Sequence, residues 1–200
     1  DAAYRRLEHV TVRYSKDKGI WVHESGGLGE GSNNIVVEHN ENFGVSMDAP
    51  TVHTFGSLGF MALDNDAGEF EVRGGTVEQS AAWPSLRYTV TGDLYVSGVS
   101  SPVLTLSPAT VLKFVADKGL YVGSSGPGAL AAEGVTFTSA SPEPSKGDWS
   151  GVQFDDSALN GSSALHDVVI EYGGGVWMEA NLVLLSAKPD RPYLPYASCH

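Results

Sequence analysis

A four-residue phrase recurs along this chain: glycine or aspartate, an aliphatic residue, an aromatic residue and a second aliphatic residue. Its copies are Gly19-Ile20-Trp21-Val22, Asp93-Leu94-Tyr95-Val96, Gly119-Leu120-Tyr121-Val122 and Gly175-Val176-Trp177-Met178. A longer phrase also returns, since residues 7–15 align without a gap with residues 165–173. A short strand-like unit buries its apolar face only by stacking on a neighbouring unit. Repeats of such units therefore predict a solenoid.

Short segments between the turns alternate apolar and polar residues, as in Val10-Thr11-Val12 and Val152-Gln153-Phe154. This period of two is typical of β-strands with one buried face. Residues that favour turns separate the segments, for example at 64–68 and 139–147. Strands about ten residues apart also occur in β-sandwiches. A sandwich does not require the phrases themselves to recur, so the pattern favours an all-β solenoid.

The composition limits the class of protein and of partner. The chain has 200 residues, enough for one sizeable core, and few segments with the composition of a helix. The net charge is −12, with only 12 lysines and arginines, which argues against a nucleic-acid partner. The single cysteine, Cys199, excludes an intrachain disulfide framework.

No apolar run approaches the roughly 20 residues that a membrane-spanning helix needs. Neither an initiator methionine nor a signal-peptide pattern precedes the first strand-like phrase. We therefore expect this sequence to be part of a longer parent chain that carries any targeting signal.

Several motifs follow one another in a characteristic order. They include Ala82-Trp83-Pro84, Tyr88-Thr89-Val90-Thr91-Gly92, Leu104-Thr105-Leu106-Ser107-Pro108, Gly147-Asp148-Trp149-Ser150-Gly151 and Val168-Val169-Ile170-Glu171-Tyr172. In this order they resemble the repeat module of bacterial secreted or surface right-handed parallel β-helix proteins, in the broad pectin-lyase-like superfamily. The resemblance is most specific over residues 74–175, which look like most of one module. Residues 4–62 look like the closing rungs of a preceding module.

The resemblance implies that residues 1–200 form one right-handed parallel β-helix, a single domain of seven to nine rungs. It also implies an extracellular or cell-surface location in a bacterium. We expect longer loops near 97–102 and 139–146. The Pro-rich segment 188–200 is expected to cover the last rung, because proline cannot extend a strand ladder. Without such a cap, exposed strand edges favour end-to-end self-association.

The predicted core consists of the inward residues of the alternating segments. They are Val10, Val12, Ile35, Val37, Leu104, Leu106, Val111, Val122, Val135, Phe137, Val152, Phe154, Val168 and Ile170.

The aromatic residues of the recurring phrase are the first functional candidates. Since their aliphatic neighbours alternate inward, Trp21, Tyr95, Tyr121 and Trp177 should project outward. Outward aromatic rings suit the apolar faces of sugars and predict a glycan-binding platform. The structural alternative is that loops cover the rings or that neighbouring rungs stack ring on ring. Ser46 stands where another aromatic would continue such a ladder.

An acidic group near the C-terminal part is the second candidate, and its members are Asp148, Asp155, Asp156, Asp167 and Glu171. Enzymes of the resembled superfamily use clustered carboxylates to hold Ca²⁺ or as acid and base. A lyase also needs a basic residue, and only Lys146 and Arg191 are near in sequence. The alternative is that these acids belong to structural turns.

A calcium loop is the third candidate. Residues 64–69, with the sequence Asp-Asn-Asp-Ala-Gly-Glu, resemble the start of an EF-hand loop. The twelfth position is Gly75 rather than glutamate, and no flanking helices are evident, so we expect a solvated turn. No other pattern indicates a metal site, a phosphate-binding loop or a serine nucleophile. We therefore expect no cofactor, with Ca²⁺ as the alternative.

Together these patterns predict a non-enzymatic extracellular scaffold or adhesion module whose flat faces bind a glycan or a surface protein. The alternative is a carbohydrate-active enzyme, a polysaccharide lyase or hydrolase, that uses the carboxylates between Asp148 and Glu171. The enzyme hypothesis requires at least two of these carboxylates within roughly 5–10 Å of each other in an open groove.

Overall fold

A computed structural model describes residues 4–23, 26–55 and 60–178. These residues form short β-strands and one 3-10 helix, Ala49–Phe55. The strands are β1 (Tyr4–Arg5), β2 (Glu8–Arg13), β3 (Ile20–Trp21), β4 (Gly27–Leu28), β5 (Asn33–Glu38), β6 (Phe43–Met47), β7 (Phe60–Leu63), β8 (Gly68–Val72), β9 (Gly75–Val77), β10 (Ala81–Trp83), β11 (Arg87–Val90), β12 (Leu94–Val96), β13 (Val103–Leu106), β14 (Val111–Phe114), β15 (Gly119–Val122), β16 (Ala129–Glu133), β17 (Thr136–Ser139), β18 (Gly151–Phe154), β19 (Ala164–His166), β20 (Val169–Ile170) and β21 (Val176–Met178).

The strands stack in parallel, each beside a strand of the next turn of the chain. A seven-stranded sheet has the order β3-β6-β8-β11-β14-β17-β20. A five-stranded sheet runs β9-β12-β15-β18-β21, and a four-stranded sheet runs β10-β13-β16-β19. A three-stranded sheet, β2-β5-β7, and the pair β1-β4 belong to the first turns. The fold is thus a single-domain parallel β-solenoid of about seven turns, as the repeats predicted.

The period of two in the sequence produces the core. In the five-stranded sheet, Leu94 lies beside Leu120, which lies beside Val152, and all three are buried. Such columns of like residues remove apolar surface from water on both sides of each rung. The longer loops predicted near 97–102 and 139–146 lie between strands.

The predicted core is confirmed for Ile35, Val37, Leu104, Leu106, Val122, Val135, Phe137, Val152 and Phe154, which are buried. Val10, Val12, Val168 and Ile170 are only half-buried, because they lie in the outermost turns of the described solenoid. The prediction for Val111 was wrong. Leu112 and Phe114 are the inward residues of β14, and half-buried Val111 lies one position out of that register.

The two aligned phrases share their turn conformations but lie in different sheets. His9 and Asp167 occupy equivalent positions and have φ of 54° and 51°, and Tyr14 and Tyr172 have φ of 58° and 61°. Nevertheless, β2 belongs to the three-stranded sheet, whereas β20 belongs to the seven-stranded sheet. The same phrase therefore lies on a different face in the first turns than in the later turns.

The 3-10 helix follows β6, at the place where later turns continue into the five-stranded sheet. In the later turns, each strand of the seven-stranded sheet is followed by one of the five-stranded sheet. After β6 the helix follows instead, with Ala49, Val52 and Phe55 buried. The five-stranded sheet therefore begins only with β9, in the next turn.

Candidate ligand-binding surface

The outward positions of the five-stranded sheet form one continuous row across its strands. Register pairing places these side chains side by side, and we call them the outward row: Thr76, Tyr95, Tyr121, Gln153 and Trp177. Because parallel strands lie about 4.8 Å apart, the row runs along the solenoid axis at that spacing. Three of the four predicted aromatic candidates are therefore brought onto one face.

Tyr95 and Tyr121 form the centre of the outward row. Their ring centroids are 5.2 Å apart and the ring planes differ by 21°, so the rings stack. Both side chains are half-buried, with their flanking leucines and valines inside. Stacking between rungs was the structural alternative considered for these residues. It also leaves two ordered, partly exposed rings side by side on the surface.

The polar surroundings of the tyrosine pair are ordered too. Asp93 accepts a hydrogen bond from the Gly119 backbone N–H at 3.1 Å and lies 3.7 Å from Lys118 Nζ. Burial, and then the Asp93 carboxylate and the neighbouring Tyr121, raise the pKa of Tyr95 above its ordinary value. The Tyr95 hydroxyl therefore remains a protonated hydrogen-bond donor at neutral pH.

The other end of the outward row is less uniform. Gln153 separates the tyrosine pair from Trp177 and donates a hydrogen bond to Asp155 Oδ1. Trp177 is 64% exposed. The row is therefore aromatic at three of its positions and interrupted once by an amide.

Trp21 lies on a different face, in the seven-stranded sheet beside Ser46. Its ring is 59% exposed, and Lys18 Nζ and Arg73 Cζ lie 5.4 and 5.5 Å from its centroid. Ser46 donates a 2.5 Å hydrogen bond to the buried carboxylate of Glu71. Two cations thus flank Trp21, and it is separate from the tyrosine pair.

A cleft of about 780 Å³ lies at the end of the outward row. We call it the junction cleft, and its lining comes from the 3-10 helix, β9 and the segment leading into β10. Thr76, the first residue of the outward row, is one of its lining residues. Asp48 and Arg73 form an ion pair of 2.9 Å in its wall. The tyrosine row and the cleft therefore form one continuous surface.

Sequence reasoning missed the junction cleft. The available signal was Asp48-Ala49-Pro50, an acidic residue and a proline at a helix start, directly after a strand. That signal indicates where a strand is replaced, although not that the replacement leaves a cleft.

Asp148, the Asp155–Asp156 pair and Asp167 lie at three different corners of the solenoid, whereas Glu171 shares the corner of Asp148 on the next turn, where the Asp148 N–H donates a 2.9 Å hydrogen bond to the Tyr172 carbonyl. Asp148 precedes β18, whereas Asp155 and Asp156 follow it, and Asp167 lies between β19 and β20. Since a strand rises about 3.3 Å per residue, the two ends of β18 are roughly 10 Å or more apart.

Asp148 and Glu171 have hydrogen-bonding partners within the fold. Asp148 accepts hydrogen bonds from the Ser145 backbone N–H at 2.9 Å and from the hydroxyls of Ser145 and Ser139 at 2.5 and 2.8 Å. The Glu171 carboxylate accepts a 2.9 Å hydrogen bond from Thr138 Oγ1. The Asp148 carboxylate thus organises the loop before β18.

We expect the stability of the chain to depend on pH through Asp148. Hydrogen bonds from Ser145, and then from Ser139, lower the pKa of this carboxyl group in the folded chain. A lowered folded pKa contributes stability that is present above the ordinary aspartate pKa and is lost as the pH falls through the folded value. Asp148→Asn should therefore show a smaller loss of stability than the wild type on acidification below about pH 4.

Urea unfolding of both proteins across this pH range tests the expectation, and Ser145→Ala serves as a graded control. That variant removes one donor and should fall between the two. Parallel pH profiles for the wild type and Asp148→Asn would contradict it.

The proposed calcium loop contains a residue that faces the interior. Asn65 is buried, and its amide accepts hydrogen bonds from the Asn40 backbone N–H at 3.2 Å and from Asn40 Nδ2 at 2.7 Å. The expectation of a fully solvated turn was therefore wrong at Asn65, which belongs to an asparagine ladder between turns. Within residues 4–23, 26–55 and 60–178, no cluster of three or more His, Cys, Asp or Glu side chains is arranged to hold a metal.

The Pro-rich segment 188–200, Cys199 and Arg191 lie outside the described residues. In the described part of the chain, no helix combines the length and apolar character needed to cross a membrane. Comparisons with protein-family models, curated proteins and solved structures found no match for this chain.

Proposed function

We propose that this chain is a non-enzymatic module of a bacterial surface or secreted β-helix protein and that it binds glycans through its outward row. The observation that carries the proposal is the stacked, half-buried pair of Tyr95 and Tyr121 on a flat parallel sheet. The motif order resembles the pectin-lyase-like superfamily, whose solenoids supply such flat faces.

The chemistry of the row suits sugars. A pyranose ring presents C–H groups that pack on an aromatic face and hydroxyls that need hydrogen-bonding partners at its edge. The tyrosine rings supply the apolar surface that their mutual stacking leaves exposed, and Asp93, Lys118 and Gln153 supply polar groups beside them. Rings held by backbone strands and by each other lose little conformational freedom on binding, which favours affinity.

The carboxylates support a non-enzymatic role. Acid and base must face one bond from within roughly 10 Å of each other. Asp148 and the Asp155–Asp156 pair occupy opposite ends of β18. Asp148 and Glu171 share one corner, but their carboxylates are engaged by the hydroxyls of Ser139, Ser145 and Thr138. The proposal therefore does not assign a reaction to this group.

We expect Tyr95→Ala and Tyr121→Ala each to weaken glycan binding about fivefold, because each removes one aromatic ring of the stacked pair. The free-energy loss of the double variant should differ from the sum of the two single losses, because the two rings contact each other. A glycan array identifies ligands, and isothermal titration calorimetry then measures their affinities.

Tyr14→Ala is the matched control, because Tyr14 is 70% exposed and stacks on His39, far from the five-stranded sheet in the fold. It should bind as the wild type does. The proposal fails if no glycan binds, or if the Tyr14 variant loses as much affinity as the Tyr95 variant. Release of shortened sugars from any bound glycan would indicate the lyase or hydrolase instead.

A further inference from the structure

We infer that the junction cleft binds the terminal unit of an uncharged oligosaccharide, so that the ligand of the outward row is a neutral glycan rather than a polyuronate. This inference rests on the proposed function of the row. It adds the position of the chain end and the charge class of the sugar.

The 3-10 helix forms one wall of the cleft and stands where a further strand of the five-stranded sheet would lie. Its residues Ala49, Val52 and Phe55 turn into the core, so this turn contributes no outward side chain to the five-stranded sheet. The outward row therefore ends at Thr76, and beyond it the surface falls into a depression of about 780 Å³. That volume is in the range of small-molecule sites.

The cleft continues the direction of the tyrosine pair. Thr76 is the register partner of Tyr95, which is the partner of Tyr121. The distance from Tyr121 to Thr76 across the strands is therefore about 10 Å. An extended oligosaccharide that lies along the solenoid axis over the exposed sides of both rings reaches the cleft with its next units.

The positive charge in the cleft wall is already neutralised. Arg73 is the only lysine or arginine among the described lining residues. Its Nη1 donates to Ser46 Oγ at 2.6 Å, and its Nη2 donates to the Val22 carbonyl at 2.6 Å and lies 2.9 Å from Asp48 Oδ1. A sugar carboxylate would have to break this ion pair to gain a partner.

The remaining polar lining disfavours anions and suits hydroxyls. Glu78 is exposed and adds a negative charge, and Gln79, Ser80 and Thr76 add uncharged groups. Carboxylate and amide oxygens accept hydrogen bonds, and the amide N–H₂ and the side-chain hydroxyls donate them, which matches sugar hydroxyls that do both. The chain's net charge of −12 further opposes a polyanion.

The test uses isothermal titration calorimetry at one fixed pH for all probes and variants. The probes are oligomers of two to six units of glucose, mannose and xylose, and galacturonate oligomers of the same lengths. For the wild type we expect at least one neutral series to bind, with affinity that rises with length and then levels off. The galacturonates should bind at least tenfold more weakly.

Glu78→Gln and Gln79→Ala should weaken binding of the longest neutral oligomers about three- to tenfold and of the dimers much less, because only longer chains reach the cleft from the tyrosines. Glu143→Gln, an exposed glutamate in the loop before β18, is the matched control and should have no effect.

The outcomes separate this inference from the proposed function. If Tyr95→Ala abolishes binding but the cleft variants change nothing at any length, the cleft inference is wrong and the row is still the binding site. Tighter binding of galacturonates than of every neutral series would also overturn the inference alone. If no probe binds and the glycan array shows no ligand, both the cleft inference and the proposed function are wrong.

Discussion

Trp149→Ala is expected to lower the free energy of unfolding by about 3–5 kcal/mol, because it removes a buried indole ring that stacks on another aromatic ring in the core. Trp149 is 1% exposed and stacks on buried Phe114, with ring centroids 4.5 Å apart and planes 8° from parallel. Its Nε1–H also donates a 2.9 Å hydrogen bond to the Glu171 carbonyl. Alanine leaves a cavity between two turns and a carbonyl without this donor.

Urea unfolding followed by circular dichroism measures this loss. Trp21→Ala is the control of the same residue type, and because Trp21 is 59% exposed it should cost less than about 1 kcal/mol. Trp149→Phe keeps a ring against Phe114 but loses the donor, so it should fall between the two. Equal costs for Trp149→Ala and Trp21→Ala would contradict the packing argument.

The location of the destabilised strands provides a second measurement. A solenoid is stabilised by contacts between neighbouring turns. Hydrogen exchange in Trp149→Ala should therefore increase most in β14, β17 and β18 and least in β2 and β5, which lie several turns away. A uniform increase along the chain would indicate a single cooperative unit instead.

Asn65→Ala is expected to cost about 2–4 kcal/mol, since it breaks a buried hydrogen-bonded ladder. The Asn65 side chain accepts two hydrogen bonds from Asn40, and its Nδ2 donates to the Val37 carbonyl at 3.1 Å and to Glu69 Oε2 at 2.8 Å. Alanine leaves the buried Asn40 amide without its acceptor, and a buried unpaired polar group is more costly than a lost surface contact.

Asn42→Ala is the matched control. Asn42 also bridges two turns, but its 2.8 Å hydrogen bond to Asp17 Oδ1 lies at the surface, where water replaces it. It should cost less than about 0.5 kcal/mol. Thermal or urea midpoints for the two alanine variants test the difference, and similar midpoints would show that the buried ladder adds nothing.

The sequence was sufficient to predict the orientation of the outward tyrosines. Tyr95 and Tyr121 stand between aliphatic residues with a period of two, and side chains on a strand alternate by local geometry alone. The repeat also showed that the strands stack as a solenoid, because each short unit needs a neighbour for its apolar face.

Local sequence patterns could not predict which sheet each strand joins. Trp21 belongs to the same phrase as Tyr95 and Trp177, yet it lies in the seven-stranded sheet, while they share the five-stranded sheet. A phrase specifies which side chains face inward, but not which earlier strand it stacks on. That depends on how much chain each turn contains, and the turn from β8 to β11 is shorter than the turns before it, since Glu71 pairs with Thr89 whereas Ser46 pairs with Glu71.

For the same reason, local sequence patterns could not predict the positions of the acidic candidates or of the junction cleft. Asp148 and Asp155 are near in sequence, but the length of β18 carries them to opposite corners of a turn. The junction cleft is produced by a helix that turns Val52 and Phe55 into the core beside β9. The sequence by itself thus determined the strand period, the stacked architecture and the outward tyrosines, since these follow from neighbouring residues. Only the tertiary structure decided which side chains share a face and where that face ends, because both depend on the register between distant turns.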